Sequence, residues 1–236
     1  MIRTVAETGS TNADLRDLAR AGADEGFWLR AERQTGGRGR QGRVWESPPG
    51  NCYASTLVRL RPTDPPAATL ALTVAVALAE AVDVYLSKGG AASSVLKWPN
   101  DLLIDGAKLS GILLERIEDA VVIGIGVNVA YHPDLPDRRT TSLAAHGVVV
   151  TPDHFVETLA DSVAHWVSRW RGEGLAVVCK RWLALGHPVG TALTARLSDG
   201  SAVDGLFDGL DQDGALLLRR ADGTRQVIHA ADVFLL

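Results

Sequence analysis

The sequence predicts an α+β protein: a mixed or antiparallel central sheet with helices over residues 1–185, then a small SH3-like β-barrel over 186–236. Three observations predict it. Runs rich in β-forming residues at 27–34, 52–60 and 120–129 alternate with helical stretches at 67–86 and 151–170. The segment L-L-I-D-G-A-K-L at 102–109 reads as a hairpin around a D-G turn, which pairs its strands antiparallel. From Gly186 the composition changes to candidate strands at 191–197, 202–210, 215–220, 226–229 and 233–235, separated by D-G turns.

Taken in order, Ser10-Thr11-Asn12 precedes Leu15, Leu18 and Ala19, an apolar stripe at helical spacing. Thr11 with Asp14 reads as a capping box, each of the three polar residues is a candidate N-cap, and an exposed helix start is also rich in donors for a polar ligand. Residues 27–34 form a strand that ends at Gln34. The stretch 67–86 is apolar nearly all round and reads as a buried central helix. A continuous apolar strand covers 120–129, where Gly124 and Gly126 strip one face and Asn128 adds a polar group to it. Either a ligand or tight packing explains those glycines. Thr151-Pro152-Asp153 caps a helix to about Trp170, and a shorter helix covers 175–185.

The chemistry concentrates at 33–50, R-Q-T-G-G-R-G-R-Q-G-R-V-W-E-S-P-P-G. Arg30, Arg33, Arg38, Arg40 and Arg43 fall within fourteen residues of a chain whose net charge is -4. Interleaved Gly37, Gly39 and Gly42 let the backbone turn tightly and approach a ligand, and guanidinium groups fit phosphate and carboxylate. The loop reads as a flexible cationic cover for an anion, against the plain alternative of a solvated charged loop. Gly37-x-Gly39-x-x-Gly42 also spells a dinucleotide fingerprint, but Pro48-Pro49-Gly50 follows where that motif needs a helix. A kinase glycine loop is excluded as well, because the V-A-I-K, H-R-D and D-F-G motifs are absent.

A second informative segment is K-W-P-N-D-L-L-I-D-G-A-K-L-S-G-I-L-L-E at 97–115. The chain has four lysines against twenty arginines, and two of the four, Lys97 and Lys108, lie here. Lysine supplies a compact point charge where arginine supplies a fork. Asp101 is a turn residue, a magnesium ligand or a proton acceptor. Gly111 is a strand defect or a point of close ligand approach.

Composition limits the rest. With 46% hydrophobic and 22% charged residues, the chain supports a proper core. The acidic balance argues against DNA or other nucleic acid as partner. Two distant cysteines and no apolar leader point to a reducing, cytoplasmic setting. The apolar run 67–79 is too short to span a membrane. The six histidines lack ligand spacing, so no structural zinc is expected.

These segments together resemble the biotin–protein ligase family, biotin–[acetyl-CoA-carboxylase] ligase. The matching motifs are S-T-N at 10–12, Q-x-x-G-R-G-R-x-G-R-x-W at 34–45, K-W-P-N-D at 97–101, K-L-x-G-I-L at 108–113, G-x-G-x-N at 124–128 and G-x-D-x-x-G-A-L-L-L at 209–218. Some members carry an N-terminal helix-turn-helix. S-T-N begins here at residue 10, which suggests the short form. Gln41 departs from the further basic residue that many members have there.

The resemblance implies a class II synthetase-like catalytic domain that activates biotin with ATP and Mg2+ as biotinyl-5′-adenylate. Biotin then passes to a lysine of a biotin carboxyl carrier protein domain. It implies that Ser10, Thr11, Asn12 and Gln34 hold the ureido end, with Arg38, Gly39, Gly111, Leu113 and Lys108 completing the biotin site. Arg38, Arg40, Arg43, Trp45, Lys97, Asn100 and Asn128 would hold ATP and the adenylate. Lys108, Arg40 and Asp101 are the catalytic candidates, with Asp101 also the magnesium candidate. A homodimer is compatible, since members often dimerise by extending the central sheet. Lipoate–protein ligase shares the chemistry, but its R-R-x-x-G-G-G loop is missing. A sensor that binds biotin or a nucleotide without turnover is the remaining alternative, and the two lysines beside Asp101 speak against it.

Overall fold

The computed structural model describes residues 1–89, 93–197 and 199–235. Seven strands form the first sheet: β1 (Ile2–Thr8), β2 (Trp28–Gln34), β3 (Cys52–Arg59), β4 (Ser94–Lys97), β5 (Asp101–Ile104), β6 (Ala107–Ile117) and β7 (Ala120–Val127). Their order across the sheet is β1-β2-β3-β7-β6-β5-β4. Among the described residues of this sheet, only β1 and β2 pair in parallel, and the remaining strand pairs are antiparallel. The sheet is therefore mixed and mostly antiparallel, as expected. The pattern of Ile2–Thr8, half exposed at a sheet edge, gave too little alternation to announce β1, and the four-residue β4 was equally silent.

Helices α1 (Thr11–Arg20), α2 (Leu70–Gly89), α3 (Pro152–Glu173) and α4 (Leu175–Leu185) divide between the two faces. Along β7, Val121, Ile123, Ile125 and Val127 point into the main core with α2, α3 and α4. Val122 on the other face joins Leu15, Ala19, Leu57 and Ala120 in a small cluster under α1. The period-two pattern of a strand thus separates a large apolar layer from the face that carries the site.

Two expectations are corrected. A 3-10 turn at Ala67–Thr69 runs directly into α2, and the combined stretch 67–87 meets the length and composition of a membrane span, so length does not exclude one. Burial accounts for its composition instead, since Val74, Val76, Ala77, Leu78 and Ala79 are completely enclosed by the core. The capping box does not form either. Ser10 is the N-cap of α1 and makes no side-chain capping bond, Asp14 accepts from Thr8 Oγ1, and the Thr11 hydroxyl turns to Gln34. Thr151 does cap α3, accepting from His154 N–H.

The C-terminal strands are β8 (Ala192–Arg196), β9 (Ala202–Leu210), β10 (Leu216–Arg219), β11 (Arg225–Ile228) and β12 (Asp232–Leu235), ordered β11-β10-β9-β8-β12 and antiparallel throughout. This SH3-like unit packs firmly on the rest: Leu193, Phe207, Leu216 and Val233 belong to the main core, and Trp98 Nε1 donates to Gly214 O at 3.2 Å.

Candidate functional site

A cavity of about 340 Å³ opens on the α1 face of the sheet, and every site residue selected from the sequence lines it. Its floor is β6 and β7, its polar end is the start of α1, and its roof is the arginine loop. Asp232, Val233 and Phe234 of β12 close one side.

The floor depends on glycines. A Cβ on Gly124 would lie 2.2 Å from Asn12 Oδ1, and one on Gly126 would lie 2.6 Å from the Trp45 ring. Neither residue has the left-handed backbone that would require glycine for conformation. They are glycines because Asn12 and Trp45 occupy the space, so of the two readings left open by the sequence this structure favours tight packing. Gly111 belongs to the same floor, where a Cβ would meet Lys108 Nζ at 3.3 Å and Trp45 at 3.4 Å. Trp45 therefore lies over the bed that sequence reasoning set aside for the acyl ligand. Lys108 Nζ sits 5.6 Å from its ring centroid, within cation–π range.

The roof is a loop closed at its neck. Trp45 N–H donates to Gly37 O at 3.0 Å, Gly39 N–H donates to Arg43 O at 2.8 Å, and a tight turn at Arg40–Gly42 forms the tip. A Cβ on Gly37 would fall 2.5 Å from Trp45 O, so the neck requires glycine there. Gln41 takes a left-handed φ of 57° at this exposed tip. Arg40 donates to Asn100 Oδ1 at 3.2 Å and to Ala231 O at 3.4 Å. Asn100 Nδ2 donates to Ile112 O at 2.6 Å, which leaves its oxygen facing Arg40. Arg43 pairs with Asp232. Arg38 has no ion-pair partner among the described residues and is exposed.

At the cationic end, Lys108 Nζ lies 2.6 Å from Asp101 Oδ1 and Lys97 Nζ lies 3.4 Å from Oδ2. Burial alone would raise the Asp101 pKa, but the two ammonium groups outweigh it and hold the carboxyl below its ordinary value. A carboxylate so stabilised is a weak proton acceptor. With both oxygens paired to amines, it is also poorly suited to hold a magnesium ion. No group of three or more His, Cys, Asp or Glu suitable for a metal exists among the described residues.

At the polar end, Thr11 N–H and Oγ1 both reach Gln34 Oε1, at 2.9 and 3.1 Å. Gln34 Nε2 donates to Ser47 Oγ at 3.1 Å. Asn128 is buried at the cavity margin, with Nδ2 donating to Thr141 O at 3.0 Å. Sequence reasoning missed Asp232, Ala231, Ser55 and Glu115. The first two reach the site from almost two hundred residues away, and the other two stand beneath its lining, so no local motif marks any of them.

The Biotin/lipoate A/B protein ligase family matches residues 7–128, and the Biotin protein ligase C terminal domain matches residues 190–236. The chain is 40% identical over 241 residues to "Biotin--[acetyl-CoA-carboxylase] ligase" of Paracoccus denitrificans, covering 98% of each. The structure of biotin protein ligase from Aquifex aeolicus in complex with biotin and ATP superposes with a TM-score of 0.86 at 23% identity, covering 100% of this chain and 99% of that one, and shares the fold. The biotin protein ligase of Leishmania major in complex with biotinyl-5-AMP gives 0.68 at 28% identity, covering 97% and 98%. With both of its parts matched in order and a relative that similar end to end, the chain belongs to the biotin protein ligases of the Biotin/lipoate A/B protein ligase family.

Proposed function

We infer that this chain is an ATP-dependent biotin–protein ligase that makes biotinyl-5′-adenylate and transfers biotin to a lysine of the biotin carboxyl carrier protein of acetyl-CoA carboxylase or a related carboxylase. Family membership and its named relative support the reading. The observation that carries it in this chain is one cavity with a neutral amide–hydroxyl network at one end and a cluster of amines and guanidinium groups at the other.

In the first step a biotin carboxylate oxygen attacks the α-phosphorus of ATP. A new P–O bond forms, and the bond to pyrophosphate breaks. Two anions must meet, so cations are needed. One unit charge at about 4 Å contributes about 4 kcal/mol at an effective dielectric near 20. Lys108, Lys97, Arg38, Arg40 and Arg43 would supply that field, chiefly by positioning and charge stabilisation. Asp101 would keep the two lysine amines in place. Magnesium would enter on the triphosphate, because the protein groups here fit it poorly as a resident ion.

In the second step the acceptor lysine nitrogen attacks the acyl carbon. A C–N bond forms, AMP leaves with the electron pair of the broken C–O bond, and a proton is released from nitrogen. The mixed anhydride must be kept from water meanwhile. The arginine loop, held at its neck and tied to β12, would serve as that cover. We also assign residues 1–185 to catalysis and 186–236 to a docked barrel that helps position the cover.

ATP–pyrophosphate exchange tests the reading. Biotin should stimulate exchange strongly and lipoate should not. Exchange driven by lipoate, or no exchange with either, would overturn it.

A further inference from the structure

Beneath the polar end lies a second tier of side chains outside the cavity lining. Asn12 Nδ2 donates to Glu115 Oε2 at 2.7 Å, and Arg16 Nη1 occupies the other carboxylate oxygen at 3.2 Å. A carboxylate only accepts, so this contact decides which end of the Asn12 amide is nitrogen. Asn12 Oδ1 is then turned toward Ser55, whose Oγ lies 2.6 Å away, and toward the space left by Gly124. Across the site, Thr11 N–H fixes Gln34 Oε1 as an acceptor in the same manner.

Between these two fixed acceptors stand two hydroxyls, Thr11 and Ser55. They make three oxygen–oxygen contacts: Ser55 to Asn12 Oδ1 at 2.6 Å, Ser55 to Thr11 Oγ1 at 2.7 Å and Thr11 to Gln34 Oε1 at 3.1 Å. Two hydroxyl protons cannot fill three contacts. Ser55 must choose between Asn12 and Thr11. A ligand N–H donated to Asn12 Oδ1 releases the Ser55 proton to Thr11, which in turn frees the Thr11 proton for a ligand carbonyl. An N–H next to a C=O is the pattern of a cyclic urea.

We propose that Glu115 and Ser55 are positioning residues for biotin. Glu115 fixes Asn12 as an acceptor, and Ser55 couples that acceptor to the Thr11 hydroxyl, so that the urea's N–H and C=O are read together. The proposal rests on the biotin reading of this site. Neither residue belongs to the cavity lining, and both would act through Asn12 and Thr11. Buried polar groups arranged for one partner discriminate strongly against analogues that leave them unpaired.

Biotin-dependent ATP–pyrophosphate exchange on the whole chain tests this. Glu115→Gln lets the Asn12 amide turn over and should raise the KM for biotin about tenfold, the scale of one lost hydrogen bond. The KM for ATP should stay within about twofold. Adding Asn12→Asp to Glu115→Gln exchanges donor and acceptor across the contact and still presents oxygen to Ser55, so it should restore most of the loss. Ser55→Ala should raise the biotin KM similarly, and it decides the matter if Glu115→Gln does not fold. An unchanged biotin KM in the folded variants would overturn the proposal, as would a parallel rise in both KM values without rescue. A wild-type chain with no biotin-stimulated exchange would instead defeat the functional reading itself, and this proposal with it.

Discussion

Lys108 Nζ reaches Asp101 Oδ1 at 2.6 Å because a bulge in the β5–β6 pairing turns Lys108 onto the Asp101 face. Asp101 pairs with Gly111 and Leu102 with Ser110, but Leu103 pairs with Lys108, leaving Leu109 as the extra residue. In an unbulged ladder Lys108 would stand behind the sheet, since a shift of one residue exchanges the two faces. Bulges next to active sites commonly re-aim a side chain in this way.

Asp101→Asn should therefore disturb both lysines. Adenylate formation should fall about 10- to 100-fold, and stability at pH 7 should fall by about 3–5 kcal/mol, the scale for stranding a buried charge. The sign with pH follows from the depressed carboxyl. Its folded value lies below its ordinary 3.8, so its contribution is present above that pH and fades as the pH drops through the folded value. Denaturant melts of wild type and variant should thus differ at pH 7 and converge in acid. Full biotin transfer by Asp101→Asn would remove Asp101 from the catalytic set.

Lys108→Ala removes the amine that faces the cavity floor beside Gly111 and Trp45. Loss of one preorganised charge typically costs about 10²–10³ in rate. Pyrophosphate release in a single turnover should show that loss, and the melting temperature should fall as well, because the variant strips the buried Asp101 carboxylate of its 2.6 Å partner and leaves it Lys97 at 3.4 Å. Near-normal release would refute the assignment.

How far the sequence could be read follows the same division between local and distant causes. The arginine loop and the two lysines were visible because residue type and spacing alone mark a local concentration of positive charge. The C-terminal strands were visible because each D-G turn sets a boundary by backbone chemistry. The bulge at Leu109 was not, because K-L-S-G-I-L alternates equally well in either register. The Thr11 hydroxyl looked like a cap because Asp14 stands three residues on; its competing partner, Gln34, comes close only when β2 lies beside α1. Asp232 was invisible for a similar reason, since nothing near it in the chain tells of Arg43.

The loop is fastened to the C-terminal unit by Arg43 to Asp232 and by Arg40 to Ala231 O. Asp232→Ala should loosen the cover without unfolding the barrel, since Arg43 is 44% exposed and ion pairs to such solvent-facing cations contribute about 0–1 kcal/mol. Leakage of adenylate into solution should rise several-fold, and Arg40→Gly should raise it further by also releasing Asn100. Chromatography of the free intermediate measures this, and unchanged leakage in both variants would argue against a covering role.

Trp45 gives the last prediction because its position conflicts with any ligand on the glycine floor. The indole lies against Gly126 and Gly111, with Nε1 buried and unpartnered among the described residues. An acyl chain laid on that floor must displace it. Its new contacts should change its emission, so biotin with ATP should alter tryptophan fluorescence, and Trp45→Phe should abolish most of the change although five other tryptophans remain. Gly126→Ala would push the ring away, since a Cβ would lie 2.6 Å from it, and the backbone there is ordinary enough to accept alanine. That variant should fold normally and form adenylate at least about tenfold more slowly, with the floor itself narrowed by the new methyl group. Gly124→Ala should be worse for biotin, because Asn12 is held by Glu115 and Ser55 and cannot step aside from a Cβ at 2.2 Å. Equal biotin affinity in Gly124→Ala and wild type, measured by calorimetry, would mean that Asn12 is free to move and that the polar end is not the rigid reader described above.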